Sequence, residues 1–133
     1  MHKGFLRTGA VFGALSVALG AFGAHSLKGH VSDAALAIFE TSVRYQMVHA
    51  LALLATAIVY GTFNNRIMRW AGRLFIAGIL LFSGSLYALA FFKAAVIPGY
   101  DWIGVVTPFG GLAFIAGWIC LGAGTATKRF PRS

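Results

Sequence analysis

Four apolar stretches, each about as long as a bilayer crossing, constrain this chain more than any motif it carries. They run over about residues 8–24, 43–62, 72–92 and 108–125. A helix needs about 20 mainly apolar residues to cross a hydrocarbon core of ~30 Å, and every stretch meets that within a few residues. Hydrophobic residues make up 59% of the chain and charged residues 11%, against roughly 25% charge in a soluble domain. Eleven basic and three acidic side chains cannot give so much apolar surface a polar cover. The expected fold class is therefore all-α. It is an integral membrane four-helix bundle, one four-span transmembrane domain over residues 1–133.

The formal charge of +8 raises nucleic acid as a partner. A nucleic-acid module gathers its Lys and Arg on one exposed face. Here they stand in short groups between apolar stretches, so the expected partner is the lipid bilayer and no nucleic acid. Four spans put both termini and the middle connector on one side. That side holds Lys3, Arg7, Arg66, Arg69, Arg73, Lys128, Arg129 and Arg132, while Lys28, Arg44 and Lys93 fall on the other. The asymmetry places both termini in the cytoplasm. Cys120, the single cysteine, lies inside an apolar stretch, which leaves neither a disulfide framework nor a thiolate metal site. No metal or cofactor is expected.

The first stretch has the basic start and apolar middle of a signal peptide. Its interior argues for a retained helix: Gly9 and Gly13 are four apart, as are Ser16, Gly20 and Ala24. Small residues at that spacing let helices approach closely in lipid. Ser32 is the expected N-cap of the second helix, with Asp33 at its positive end. No Gly or Pro interrupts 33–60, so this long helix is expected to extend beyond the bilayer on the outer side. Asn64-Asn65 marks the next turn. Residues 94–107 read as a loop, and Pro108 as the first turn of the fourth helix.

Polar groups inside the spans are few. Ser42, Tyr45, His49, Thr56 and Tyr60 share one face of the second helix at about 100° per residue. His49 is the one ionisable residue deep in an apolar stretch, and two readings of it stand: a neutral imidazole bonded to a neighbouring helix, or a group for a proton, ligand or partner. Ser83-Gly-Ser-Leu-Tyr87 surrounds Gly84 with hydroxyls, and Thr107 is the expected N-cap of the fourth helix. His25, Tyr45 and His49, Tyr87 and Thr107 with its glycines belong to the outer half of the bundle. They suggest one polar pocket of His25, Tyr45, Gln46, His49, Ser83, Ser85, Tyr87 and Thr107, with Gly9, Gly13, Gly20 and Gly84 as packing positions.

The segments Gly20-Ala-Phe-Gly-Ala-His25, Tyr45-Gln46 with His49, Phe82-Ser-Gly-Ser-Leu-Tyr87 and Thr107-Pro-Phe-Gly-Gly111 resemble the YgdD/YwdK type of small bacterial membrane protein. That group, domain of unknown function 423, is related to the eukaryotic transmembrane protein 256. The resemblance covers about Gly20 to Trp118 and implies a four-helix protein of the bacterial inner membrane, with no catalytic residues to carry over. The leading expectation is a non-enzymatic protein whose outer pocket binds a lipid, a hydrophobic small molecule, or a membrane-protein partner or second copy. The alternative is a small oligomeric, proton-linked carrier using His49. A third reading, haem or metal bound through His25 and His49, lacks any further ligand in the sequence.

Overall fold

The structure, a computed structural model, describes residues 1–127, so the basic tail at Lys128, Arg129 and Arg132 lies outside the described residues. Among the described residues there are helices and no strands. Four of these helices are long and apolar enough to cross a membrane: α1 (Lys3–Leu27), α2 (Asp33–Val59), α3 (Arg66–Ala94) and α4 (Ile103–Ala126).

Caps explain where three of them begin. His2 Nδ1 accepts the Phe5 N–H at 3.1 Å, and the His2 backbone N–H donates to the Ala57 carbonyl at 2.9 Å. The start of α1 is thereby tied to the end of α2. Ser32 caps α2 by accepting the Ala35 N–H at 3.2 Å. Asn65 caps α3 by accepting the Met68 N–H at 2.9 Å. Its amide also donates to the Gly124 carbonyl at 2.8 Å and to Thr127 Oγ1 at 2.9 Å. One side chain thus starts α3 and holds the end of α4. These bonds gather the start of α1, the end of α2, the start of α3 and the end of α4 at one end of the bundle. The 27 residues of α2 measure about 40 Å, longer than a hydrocarbon core.

The fourth helix departs from expectation. It begins at Ile103, and Pro108 lies inside it instead of in its first turn. The reason is that residues 100–105 already wind. Ile103 donates to the Tyr100 carbonyl at 3.0 Å, and Gly104 and Val105 donate to Asp101 and Trp102, each at 3.2 Å. Pro108 then forgoes a single helical bond, the one its missing N–H would make. For the same reason Thr107 is not an N-cap. The third helix is not uniform either, since a π-helical turn at Ile79–Ser83 interrupts it.

In sequence order α1 packs on α2, and α3 on α4, with α2 and α3 joining the two pairs. Phe75, Ile79, Ala71, Ala52 and Phe114 form one buried cluster, and Phe5, Leu53 and Ala57 a second. Of the four glycines expected at close contacts, only Gly9 is pressed: a Cβ there would stand 2.9 Å from Leu54 Cδ2 and 3.2 Å from the Ala50 carbonyl. Gly20 merely touches Val43, and Gly13 and Gly84 have open space. The closest approaches lie elsewhere. Gly72 sits under the Phe5 ring, Gly78 under Phe114, Gly117 under Phe75, and Gly110 against the Phe82 backbone. Gly110, Gly117 and Gly124 are seven apart and line one face of α4.

Candidate functional site

Ser42, Ser83, Ser85, Tyr87 and Thr107 lie in the half of the bundle away from the Asn65 end, with Gln46 and His49 nearer its middle, and they bond to one another and to backbone carbonyls. Gln46 is 3% exposed and joins three helices. Its Nε2 donates to the Phe12 carbonyl of α1 at 3.0 Å, and its Oε1 accepts the Tyr87 hydroxyl of α3 at 2.7 Å. Ser42 and Ser83 exchange bonds between α2 and α3. The Ser42 hydroxyl donates to the Ser83 carbonyl at 2.6 Å and the Ser83 hydroxyl to the Ser42 carbonyl at 3.0 Å. Ser85 and Thr107 join α3 to α4 through hydroxyls 2.6 Å apart. In hydrocarbon no water is on hand to satisfy a hydroxyl, so serines beside a π turn serve its carbonyls. Ser85 also reaches the Phe82 carbonyl, at 2.9 Å.

His49 is enclosed in the same way. Its Nε2 accepts the Trp118 indole N–H of α4 at 3.1 Å, and its Nδ1 lies 2.7 Å from the Tyr45 carbonyl. An indole can only donate, so Nε2 carries no proton and Nδ1 carries the one that goes to Tyr45. The ring stacks on Phe114 with centroids 3.5 Å apart and packs near Phe75. Both nitrogens are engaged and the residue is buried. This geometry fits the first of the two readings, a neutral imidazole bonded to a neighbouring helix.

The eight expected pocket residues therefore divide. Gln46, His49, Ser83, Ser85, Tyr87 and Thr107 are brought together in bonded pairs. Tyr45 contributes its carbonyl to His49 and its ring to Phe82, at 4.5 Å, while its side chain is 40% exposed. His25 is exposed in the π-helical last turn of α1, apart from the others. Among the described residues no buried polar side-chain atom lacks a partner. No group of three or more His, Cys, Asp or Glu is placed to hold a metal among them. The polar groups expected to share one pocket are here bonded in pairs within the bundle.

What is open is apolar. Beside the network a cavity of about 210 Å³ lies among the ends of α1, α2 and α3. Phe22 and Leu27 wall it from α1, Ala35 and Phe39 from α2, and Tyr87, Ala90 and Phe91 from α3. Tyr87 presents its ring to this cavity, edge-on to Phe39 at 5.3 Å, and turns its hydroxyl to Gln46. Sequence reasoning missed this groove. The signal was there in the aromatic and alanine positions Ala35, Phe39, Ala90 and Ala94, whose spacing of four sets small and large residues on one face.

Fold and site together define a small all-helical membrane protein with four bilayer-spanning segments. The chain belongs to the family described as Protein of unknown function (DUF423), which matches residues 19–111. A UPF0382 membrane protein of Staphylococcus aureus (strain bovine RF122 / ET3-1) is 44% identical over 119 residues, covering 90% of this chain and 92% of the relative. One from Staphylococcus haemolyticus is 43% identical over the same shares of the two chains. The UPF0382 membrane protein YwdK of Bacillus subtilis (strain 168) is 42% identical over 120 residues, 90% of this chain and 93% of its own. No solved structure matches the chain.

Proposed function

We propose that this is an inner-membrane protein with cytoplasmic termini that holds a lipid acyl chain in the apolar groove and catalyses no reaction. One observation carries the reading: the groove is walled by Phe22, Leu27, Phe39, Ala90 and the Tyr87 ring, with the one nearby hydroxyl bonded away from it. A polar ligand would lose its hydration there and gain no partner. An acyl chain loses nothing and arrives from the surrounding bilayer at high concentration. The orientation rests on Lys3, Arg7, Arg66, Arg69 and Arg73 gathering at the opposite end of the bundle. A carrier working through His49 is less well supported, since both ring nitrogens already have partners.

The test is native mass spectrometry of protein released from membranes, on the wild type and on Ala94→Trp at the groove's rim. The wild type is expected to retain an acyl-bearing lipid that the variant loses, both remaining folded. Equal retention by the two proteins removes the reading. Capture of a second chain or of another membrane protein in place of lipid would assign the groove to a protein partner instead.

A further inference from the structure

The opposite end of the bundle carries a feature that topology alone does not account for. Arg66, Arg69 and Arg73 follow one another at three and four residues along α3. They therefore lie within about 60° of each other on its surface. All three are exposed. Met68 and Phe75, which meet Gly124 and Gly117 of α4, occupy the roughly opposite side of the helix.

No acid offsets this stripe. The three acidic residues, Asp33, Glu40 and Asp101, belong to the other end of the bundle, while Lys3 and Arg7 add to the cations at this one. Depth is set by two observations. The rise from Arg66 to Arg73 is about 10 Å, enough to cross a head-group layer of roughly 5–7 Å and enter the hydrocarbon boundary. The Arg73 guanidinium lies over the Trp70 ring, 5.5 Å from its centroid. It is thus drawn back one turn toward the start of α3, to the level where an interfacial tryptophan sits.

We propose that Arg66, Arg69 and Arg73 form a docking surface for the phosphodiester head group of an anionic glycerophospholipid. The guanidinium fork matches two phosphate oxygens at once, which a lysine ammonium does not. The rule that orients membrane proteins counts Lys and Arg alike, so orientation by itself gives no reason for three arginines on one stripe. A zwitterionic lipid brings its own cation against an end of the bundle that already carries five among the described residues (Lys3, Arg7, Arg66, Arg69 and Arg73). An anionic lipid does not.

The experiment uses the full chain in nanodiscs of phosphatidylcholine doped with phosphatidylglycerol, reading by native mass spectrometry which lipid stays bound. Three proteins are compared: wild type, the triple Arg66→Lys, Arg69→Lys, Arg73→Lys variant, and the matching triple variant to Gln. Labelling of Asn64→Cys in a Cys120→Ser background by an impermeant thiol reagent shows that the Lys variant keeps its orientation. Wild type is expected to enrich phosphatidylglycerol. The charge-matched Lys variant loses about fivefold of that enrichment, equivalent to about 1 kcal/mol at about 1.4 kcal/mol per tenfold, and the Gln variant loses it all. Undiminished enrichment by the Lys variant would reduce the stripe to diffuse charge and overturn the proposal, as would a wild type with no preference.

Discussion

Replacing Gly110 by alanine is the most direct test of how this bundle is held together. The added carbon would run into the backbone nitrogen and Cα of Phe82 in the π turn of α3. Backbone cannot swing aside as a side chain does, so the two helices must separate by about 1 Å. A gap of that size forfeits about a quarter to a half of the dispersion energy across the contact. It also stretches the bond between Ser85 and Thr107, whose hydroxyls stand 2.6 Å apart on the same two helices. Overpacking of this kind costs about 1–3 kcal/mol, offset in part by up to about 1 kcal/mol from the better helix propensity of alanine. Gly84→Ala is the control, because a carbon there meets nothing within 4 Å, and it is expected to be neutral or mildly stabilising. Thermal unfolding in detergent should show Gly110→Ala melting several degrees below wild type and Gly84→Ala at or above it. A Gly110→Ala protein as stable as wild type would refute the argument that α3 and α4 meet backbone to backbone.

Other outcomes follow from the same contacts. Gln46→Leu removes bonds to both α1 and α3 and should lower stability by about 1–3 kcal/mol, since interhelical bonds in membranes average about 0.6 kcal/mol with a maximum near 1.7; Tyr87→Phe removes only one of the two and should cost less in the same melt. His49→Leu and Trp118→Phe break one shared bond, so the double variant should be less destabilised than the sum of the singles, whereas strict additivity would mean that bond is absent. Cysteines at Ser26 and at Asp101, in a Cys120→Ser background, should react with an impermeant reagent in intact cells while one at Asn64 does not; the reverse pattern inverts the orientation.

Much of this fold was legible because lipid imposes strong rules on a sequence. The four spans were readable from length and hydropathy, and Ser32 and Asn65 act where a capping residue and a turn were expected. The start of α4 was not legible, because proline favours a first turn yet is tolerated further inside a membrane helix, and nothing local distinguishes the two. The glycines were harder. Whether a small residue is a contact depends on what faces it across the seam, and the rings of Phe5, Phe75 and Phe114 that press on Gly72, Gly117 and Gly78 come from other helices. The repeat of seven through Gly110, Gly117 and Gly124 was the available clue. Of the eight residues expected to share a pocket, Gln46, His49, Ser83 and Ser85 are buried, and His25 and Tyr45 are exposed. Sequence could not show that Gln46 and Tyr87, or Ser42 and Ser83, would bond to each other across the helices.

That bonding bears on why the groove exists. Helices in lipid gain little from burying apolar surface against one another, so their register depends on close packing and on polar bonds. Here Ser42, Ser83 and Tyr87 pin α2 to α3, and Ser85 and Thr107 pin α3 to α4, while deeper in the bundle Gln46 ties α2 to α1 and His49 ties it to Trp118 of α4. At the far end His2 and Asn65 tie the remaining termini. A bundle tied in this way resists drawing its outer helix ends together over the space of about 210 Å³ beside Phe39 and Phe91. An apolar void held open in this way is costly unless something fills it, and in a bilayer the filler at hand is an acyl chain. On the proposed reading the polar bonds act through geometry: they join the helices to one another and so hold apart the apolar walls between which an acyl chain would lie.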